Sequence, residues 1–182
     1  RSIIADPRSP TMQKQLNLKV KYRENFRPFA PSVLREDVNE WFELNSDSPY
    51  MLLVAEVKKE KCRTMSKTEE ALFGIEKLNV LRSSIPATTH VDYSARIQTV
   101  HADTNPLYHS MISKFKEKTG CPIVINTSFN VRGEPIICTP TDAFKCFMGT
   151  EMDMLTVGNY ILYKEHQDVT LEENYEELYE LD

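Results

Sequence analysis

The chain has 182 residues, of which 41% are hydrophobic and 27% charged, and its formal net charge is −5. That length suits one domain with a real core, and no apolar run approaches the roughly 20 residues of a membrane span, so no membrane partner is expected. The negative balance argues against non-specific nucleic-acid binding, which draws on an excess of Lys and Arg along one face.

In chain order, Ser9 followed by Pro10 predicts a helix start, with a short helix running to about Leu18. Next comes a basic stretch: Lys14, Lys19, Lys21, Arg23, Arg27 and Arg35 stand against the single acid Glu24. Prolines at 28 and 31 predict that any strand here lies at an edge or begins after the second one. The apolar run Tyr50–Val57 predicts a buried strand, and Lys58–Thr68 a polar surface loop. From Ser94, "SARIQTVH" alternates and predicts a strand with Ala95, Ile97 and Thr99 on one face and Arg96, Gln98 and Val100 on the other. Asn105 and Pro106 open a helix that closes at Gly120, with Leu107, Met111, Ile112 and Phe115 as its apolar stripe.

The remaining segments follow the same pattern. "CPIVIN" predicts a short strand and "TSFNVRGEP" the loop after it. Thr139 and Pro140 start another helix with Ala143, Phe144, Phe147 and Met148 inward, and "MLTVGNYILYK" predicts a last strand. The segment from Glu165 to Asp182 has no Lys or Arg and is expected to be an acidic, helical tail. Strands alternating with helices favour a sheet covered by helices, an α/β (α+β) class. Cys62, Cys121, Cys138 and Cys146 form no CxxC pair, which fits free thiols in a reducing cytoplasm. There is no visible signal peptide and the first residue is Arg1 rather than Met, so the chain reads as cut from something longer.

Three stretches offer chemistry. The loop Asn126–Pro135 follows an apolar strand, the position at which open α/β sheets bind ligands. Ser128 and Asn130, two apart, point to one side if the chain is extended, Gly133 allows close backbone approach, and Arg132 adds a planar cation. The alternative is a solvated turn. The basic stretch is either an anion-binding wall, with prolines limiting the entropy lost in aiming Lys21, Arg23 and Arg27, or a surface whose stems pack on Phe26 and Phe29. The pairs His90/Asp92 and His101/Asp103 would share strand faces but supply too few ligands for a structural zinc, so no metal site is expected. Arg96, if partly buried, needs an anionic partner, either Asp92 or a substrate phosphate.

The stretches "RSIIADPRS", "KYRENFRPFAPSVL", "THVDYSARIQTV" and "NPLYHSMISKFKEKTGCPIVINTSFNVRGEPIICTPTDAFKCFMGTEMDMLTVGNYILYK" together resemble the carboxy-terminal domain of the NodU/CmcH family of O-carbamoyltransferases. The likeness leaves out only Lys58–Leu81 and the acidic tail. It implies a YrdC-like twisted mixed sheet flanked by helices, with a basic cavity, over residues 1–164, and a separate tail over 165–182. It implies a KxR motif at Lys21 and Arg23 and an SxN motif at Ser128 and Asn130. By the same resemblance, carbamoyl phosphate and ATP, the latter with Mg2+, become carbamoyl-adenylate. An N-terminal domain of the actin-like ATPase superfamily, absent from this chain, then completes transfer to an acceptor hydroxyl.

The resemblance gives Lys21 and Arg27 to carbamoyl phosphate and the leaving phosphate, and Ser128 and Asn130 to the carbamoyl group or α-phosphate. Arg23, Arg96, Thr127, Arg132 and His90 go to nucleotide and phosphate binding. Two features depart from the family: no arginine-bearing stretch precedes "RSIIADPR", and Tyr93 stands where relatives often have Gly. A threonylcarbamoyl-adenylate synthase and a non-catalytic nucleotide-binding or docking module are the competing readings.

Overall fold

The computed structural model describes residues 1–168 and Tyr175. The elements are β1 (Ser2–Ala5), α1 (Met12–Lys19), β2 (Ala30–Leu34), α2 (Val38–Trp41), β3 (Leu53–Glu56), α3 (Lys67–Glu70), α4 (Gly74–Leu78), β4 (Ser94–Val100), α5 (Pro106–Thr119), β5 (Ile123–Ser128), α6 (Pro140–Met148), β6 (Met154–Val157) and β7 (Tyr160–Tyr163). Five strands form one sheet in the order β1-β5-β2-β4-β3, and β6 and β7 form a separate pair. The β2–β4 ladder is parallel while β2–β5 and β3–β4 are antiparallel, so the sheet is mixed, as the alternation of elements implied.

Two compact units divide the chain. One comprises Arg1–Ile3, Lys14–Asn25 and Ser128–Asp182; the other comprises Ile4–Gln13 and Phe26–Thr127. The expected helical tail lies outside the described residues, Tyr175 excepted. Among the described residues no helix is long and apolar enough to cross a membrane, and all four cysteines are free thiols.

The second unit is built on β2, whose five residues are all buried. Its position corrects the expectation of an edge strand that the prolines set. The Leu34 N–H donates to the Pro122 carbonyl beyond the start of β5, so even-numbered residues of β2 face β5 and odd ones face β4. The parallel ladder with β4 begins only at Ser32. Pro31 therefore points its missing donor at a place where no rung exists, and the strand tolerates it. One face carries Val33, Ala95, Ile97 and Ile123 with Val38, Trp41 and Phe42 packed over them. The other carries Leu34, Val100 and Val124 under Ile112 of α5.

Three further expectations change. The run Tyr50–Val57 yields only β3, the last strand in the sheet order, on which Leu53 and Val54 are exposed; beyond it the end at residues 56–58 is met, where the Glu56 carbonyl accepts from the Glu43 N–H at 2.8 Å. Helix α5 presents Ile112 with Tyr108 and Phe115, whereas Leu107 is 86% exposed and Met111 is also exposed. The apolar stripe is thus rotated by about one residue, since the sheet selects the face with the larger rings. The final apolar segment is a hairpin, β6–β7, because Gly158-Asn159 separates the paired residues Val157 and Tyr160. Gly158 takes φ +58, which a two-residue hairpin loop requires and glycine supplies.

Helices α5 and α6 begin where their signals stand, and α5 also ends at its own. Gly120 closes α5 in the left-handed region, and a capping box opens α6, with the Thr139 side chain accepting from the Asp142 N–H and Asp142 accepting in return. Helix α6 buries Ala143, Cys146, Phe147 and Met148, while Phe144 is only half-buried.

Candidate functional site

The first unit contains a cluster built on Lys21. Helix α1 ends at Lys19, and the Lys21 N–H still reaches back to the Leu16 carbonyl at 2.8 Å, so the chain leaves the helix in a closed turn. Tyr22 then adopts φ +48, a left-handed conformation uncommon for a non-glycine residue. Its hydroxyl holds the place by donating to the Gly149 carbonyl at 2.7 Å. Arg23 continues the turn: its N–H donates to the Asn17 carbonyl at 2.9 Å and its Nε to Asn17 Oδ1 at 2.6 Å. Asn17 is fully buried, so the helix itself fixes the second cation of the motif.

Lys21 is only 5% exposed. Its Nζ donates to the Ser128 carbonyl at 2.5 Å, the Asn130 carbonyl at 2.7 Å, Asn130 Oδ1 at 2.9 Å and Ser128 Oγ at 3.3 Å. The KxR and SxN motifs, 107 residues apart, therefore meet at one ammonium group. Ser128 Oγ also donates to Asn130 Oδ1 at 2.6 Å, and Asn130 Nδ2 donates to the Glu134 carbonyl at 2.6 Å. The two side chains share a side, as the spacing allowed, but their donors face inward within the loop. Arg132 is half-buried; its N–H donates to the Lys21 carbonyl at 3.3 Å, and its guanidinium stands 3.9 Å from Glu24.

Burial, with Arg23 as a neighbouring cation, lowers the Lys21 pKa to about 8, while Glu134 acts in the opposite sense. Glu134 is a buried carboxylate that the sequence reading passed over as part of a turn. Its Oε2 accepts from the Val131 N–H at 2.8 Å and its Oε1 accepts from the Tyr175 hydroxyl. A buried Asp or Glu beside a glycine and a proline carries no periodic signal, so only the fold reveals it.

The other expected site residues, Arg27, His90, Arg96 and Thr127, belong to the second unit. Arg27 is exposed and Thr127 is half-buried on β5. Arg96 is exposed on β4 rather than partly buried, paired with the exposed Val54 of β3; the need for a buried anionic partner does not arise. His90 and Asp92 precede β4 in a turn instead of sharing a strand face. His90 Nδ1 lies 2.9 Å from Ser94 Oγ, and Asp92 Oδ1 accepts from the Ser94 hydroxyl at 2.7 Å. Burial lowers the His90 pKa, countered by Asp92 and reinforced by Arg96. His101 Nε2 lies 3.1 Å from Thr99 Oγ1. Among the described residues no group of three His, Cys, Asp or Glu side chains could hold a metal ion. Tyr93, at the turn's tip, takes φ +66, a conformation in which glycine is free of strain.

Comparison with known proteins places the chain in a family. Over all of its length the chain is 57% identical to the uncharacterized protein sll1178 of Synechocystis, covering 30% of that protein. It is 42% identical to the nodulation protein NolNO of Sinorhizobium fredii over 90% of its own length and 22% of that protein. Its identity to the 3'-hydroxymethylcephem-O-carbamoyltransferase of Amycolatopsis lactamdurans is 33%, over 78% of this chain and 23% of the enzyme. The chain spans less than a third of the length of these relatives. The family model described as carbamoyltransferase C-terminus matches residues 1–164, and the chain belongs to that family.

Proposed function

We propose that this chain is the carbamoyl-adenylate-forming part of an O-carbamoyltransferase, taking carbamoyl phosphate and ATP as substrates. The observation that carries the reading is the Lys21 ammonium held between Ser128 and Asn130. A cation withdrawn from water beside a second cation has an unmet demand for negative charge, which its lowered pKa registers. A phosphate oxygen arriving there gains more from Coulomb attraction than it would at an exposed lysine.

The chemistry follows from that charge. Water converts carbamoyl phosphate to carbamate, phosphate and a proton. A carbamate oxygen then forms a bond to the α-phosphorus of ATP as the bond to pyrophosphate breaks. Negative charge gathers on the phosphoryl oxygens and on the leaving group, and cations already aimed there stabilise the transition state without reorganising. Lys21 and Arg23 supply fixed positive charge. Ser128 and Asn130 turn their donors to the substrate once it displaces their internal bonds. No general base is needed, because carbamate is already an anion. Mg2+ enters with the nucleotide. The assignment of Arg27, Arg96, Thr127 and His90 to phosphates rests on the family resemblance. Transfer to an acceptor hydroxyl falls to a domain of the actin-like ATPase superfamily in the longer polypeptide. The Amycolatopsis relative, named an O-carbamoyltransferase, supports a transfer of this kind.

The test is pyrophosphate release from ATP with and without carbamoyl phosphate. Release that depends on carbamoyl phosphate and disappears in both Lys21→Ala and Ser128→Ala is the expected result. Release driven by threonine and bicarbonate instead points to a threonylcarbamoyl-adenylate synthase. ATP binding without turnover points to a nucleotide-binding module.

A further inference from the structure

The acidic C-terminal stretch contributes one described residue, Tyr175, and it is 3% exposed. Its hydroxyl donates to Glu134 Oε1. The other oxygen of that carboxylate takes the Val131 N–H, and the Glu134 carbonyl takes Asn130 Nδ2, so one residue closes the loop that presents Ser128 and Asn130. The tyrosine ring meanwhile sits on Gly149: a Cβ added there would overlap Tyr175 Cβ, Cγ and Cδ2. The carbonyl of Gly149 is also the acceptor that holds Tyr22 in its left-handed turn between Lys21 and Arg23. Tyr175 thus touches the support of both motifs, one through its hydroxyl and the other through its ring.

Residue 175 lies beyond the segment that the family model matches, which ends at 164. A tail residue that merely covered apolar surface would need no hydroxyl at all. This one is directed at a buried carboxylate, a charge that burial penalises unless donors surround it. Cys146, also buried, lies close enough to Glu134 for the carboxylate to push its thiol further up, after burial itself. Among the described residues, Tyr175 is a donor that the tail brings to Glu134.

We propose that Tyr175 is a positioning residue for the Lys21 cluster, fixing Glu134 under the Ser128–Asn130 loop and seating Gly149 against Tyr22. The claim concerns the geometry of the cluster and rests on the functional reading only for the identity of the anion. The removal of the hydroxyl in Tyr175→Phe loosens the loop, and the removal of the ring in Tyr175→Ala loosens both supports. Water then reaches Lys21.

Two measurements on the full chain decide it, using wild type, Tyr175→Phe, Tyr175→Ala and Gly149→Ala. The first is the titration of Lys21 followed through the carbon resonances of isotope-labelled lysine, with Lys21→Met assigning the signal. Wild-type Lys21 titrates near 8, and the variants shift it upward towards ordinary lysine, least in Tyr175→Phe. The second is calorimetric binding of inorganic pyrophosphate, expected to weaken about tenfold in Tyr175→Phe and more in Tyr175→Ala. Wild-type titration of Lys21 in folded Tyr175→Phe and Gly149→Ala, with only the melting temperature lowered, overturns the proposal. If wild type binds no pyrophosphate, the functional reading fails, and the Lys21 titration still decides the positioning role.

Discussion

Lys21 and Arg96 are both cations that the family resemblance assigns to phosphate groups, the first to carbamoyl phosphate and the second to the nucleotide, and the fold treats them in opposite ways. Lys21 is buried and committed to four oxygens of one loop, while Arg96 stands exposed on β4. Position in the fold, more than charge, sets what each can contribute. A desolvated ammonium acts through a strong, short-range field and fixed geometry, whereas an exposed guanidinium is screened by water and salt and moves freely. On the proposed reading the first belongs at the reacting atoms, and the second suits nucleotide capture.

The largest expected effect tests that division directly. Lys21→Met should lower carbamoyl-phosphate-dependent pyrophosphate release at least about 100-fold, the scale for losing a preorganised donor to developing charge. Arg96→Met should lower it less than about tenfold and mainly through the apparent KM for ATP, with a flatter salt dependence. Equal losses in kcat would erase the distinction.

The pH dependence of stability comes next. Folding lowers the Lys21 pKa from 10.5 to about 8. Below pH 8 the residue is protonated in both states and the folded state bears the burial penalty. Between about 8 and 10.5 the unfolded chain binds more protons, so this group's contribution to stability rises with pH, by about 3 kcal/mol over the window. Anion affinity moves the other way, falling as Lys21 loses its charge. Urea unfolding of wild type and Lys21→Met from pH 7 to 10 isolates the slope; parallel curves would mean that Lys21 is solvated in solution.

Smaller effects sharpen the supporting scaffold. Thr139→Ala removes half of the capping box that opens α6, the helix leading to Gly149, and should cost about 1 kcal/mol in denaturant unfolding. A cost near zero would show that Asp142 alone caps the helix. Tyr93→Gly relieves a left-handed non-glycine residue and should leave stability within about 1 kcal/mol of wild type, because relief of strain offsets the greater freedom of the unfolded chain. Outright unfolding of that variant would reveal a packing role for the Tyr93 ring.

Much of the fold was legible locally. The Asn105-Pro106 start and Gly120 stop of α5, the Thr139-Pro140 start of α6 and the alternation of β4 are written in neighbouring residues, and the structure follows them. Errors fell where a local signal met a long-range choice. Pro31 looked like an edge marker until the register of two neighbouring strands left its position without a rung. Leu107 and Met111 satisfied helical periodicity, yet the sheet took Tyr108, Ile112 and Phe115. The Gly158-Asn159 turn was legible and was passed over because the residues on both sides are apolar.

For the site, spacing and resemblance put forward Lys21, Arg23, Ser128 and Asn130. Tyr22, Gly149 and Tyr175 escaped because their partners are distant in the chain, and Asn17 and Glu134 because nothing in their neighbourhood signals that they are buried. What the sequence by itself determined is therefore the order and type of most elements, the family and the motif residues, because these depend on nearest neighbours and on recognisable strings. The tertiary structure alone decided that Lys21 is desolvated among the oxygens of a loop 107 residues away, and that Arg96 is not. Burial is a property of what the rest of the chain places around a side chain, and no local pattern encodes it.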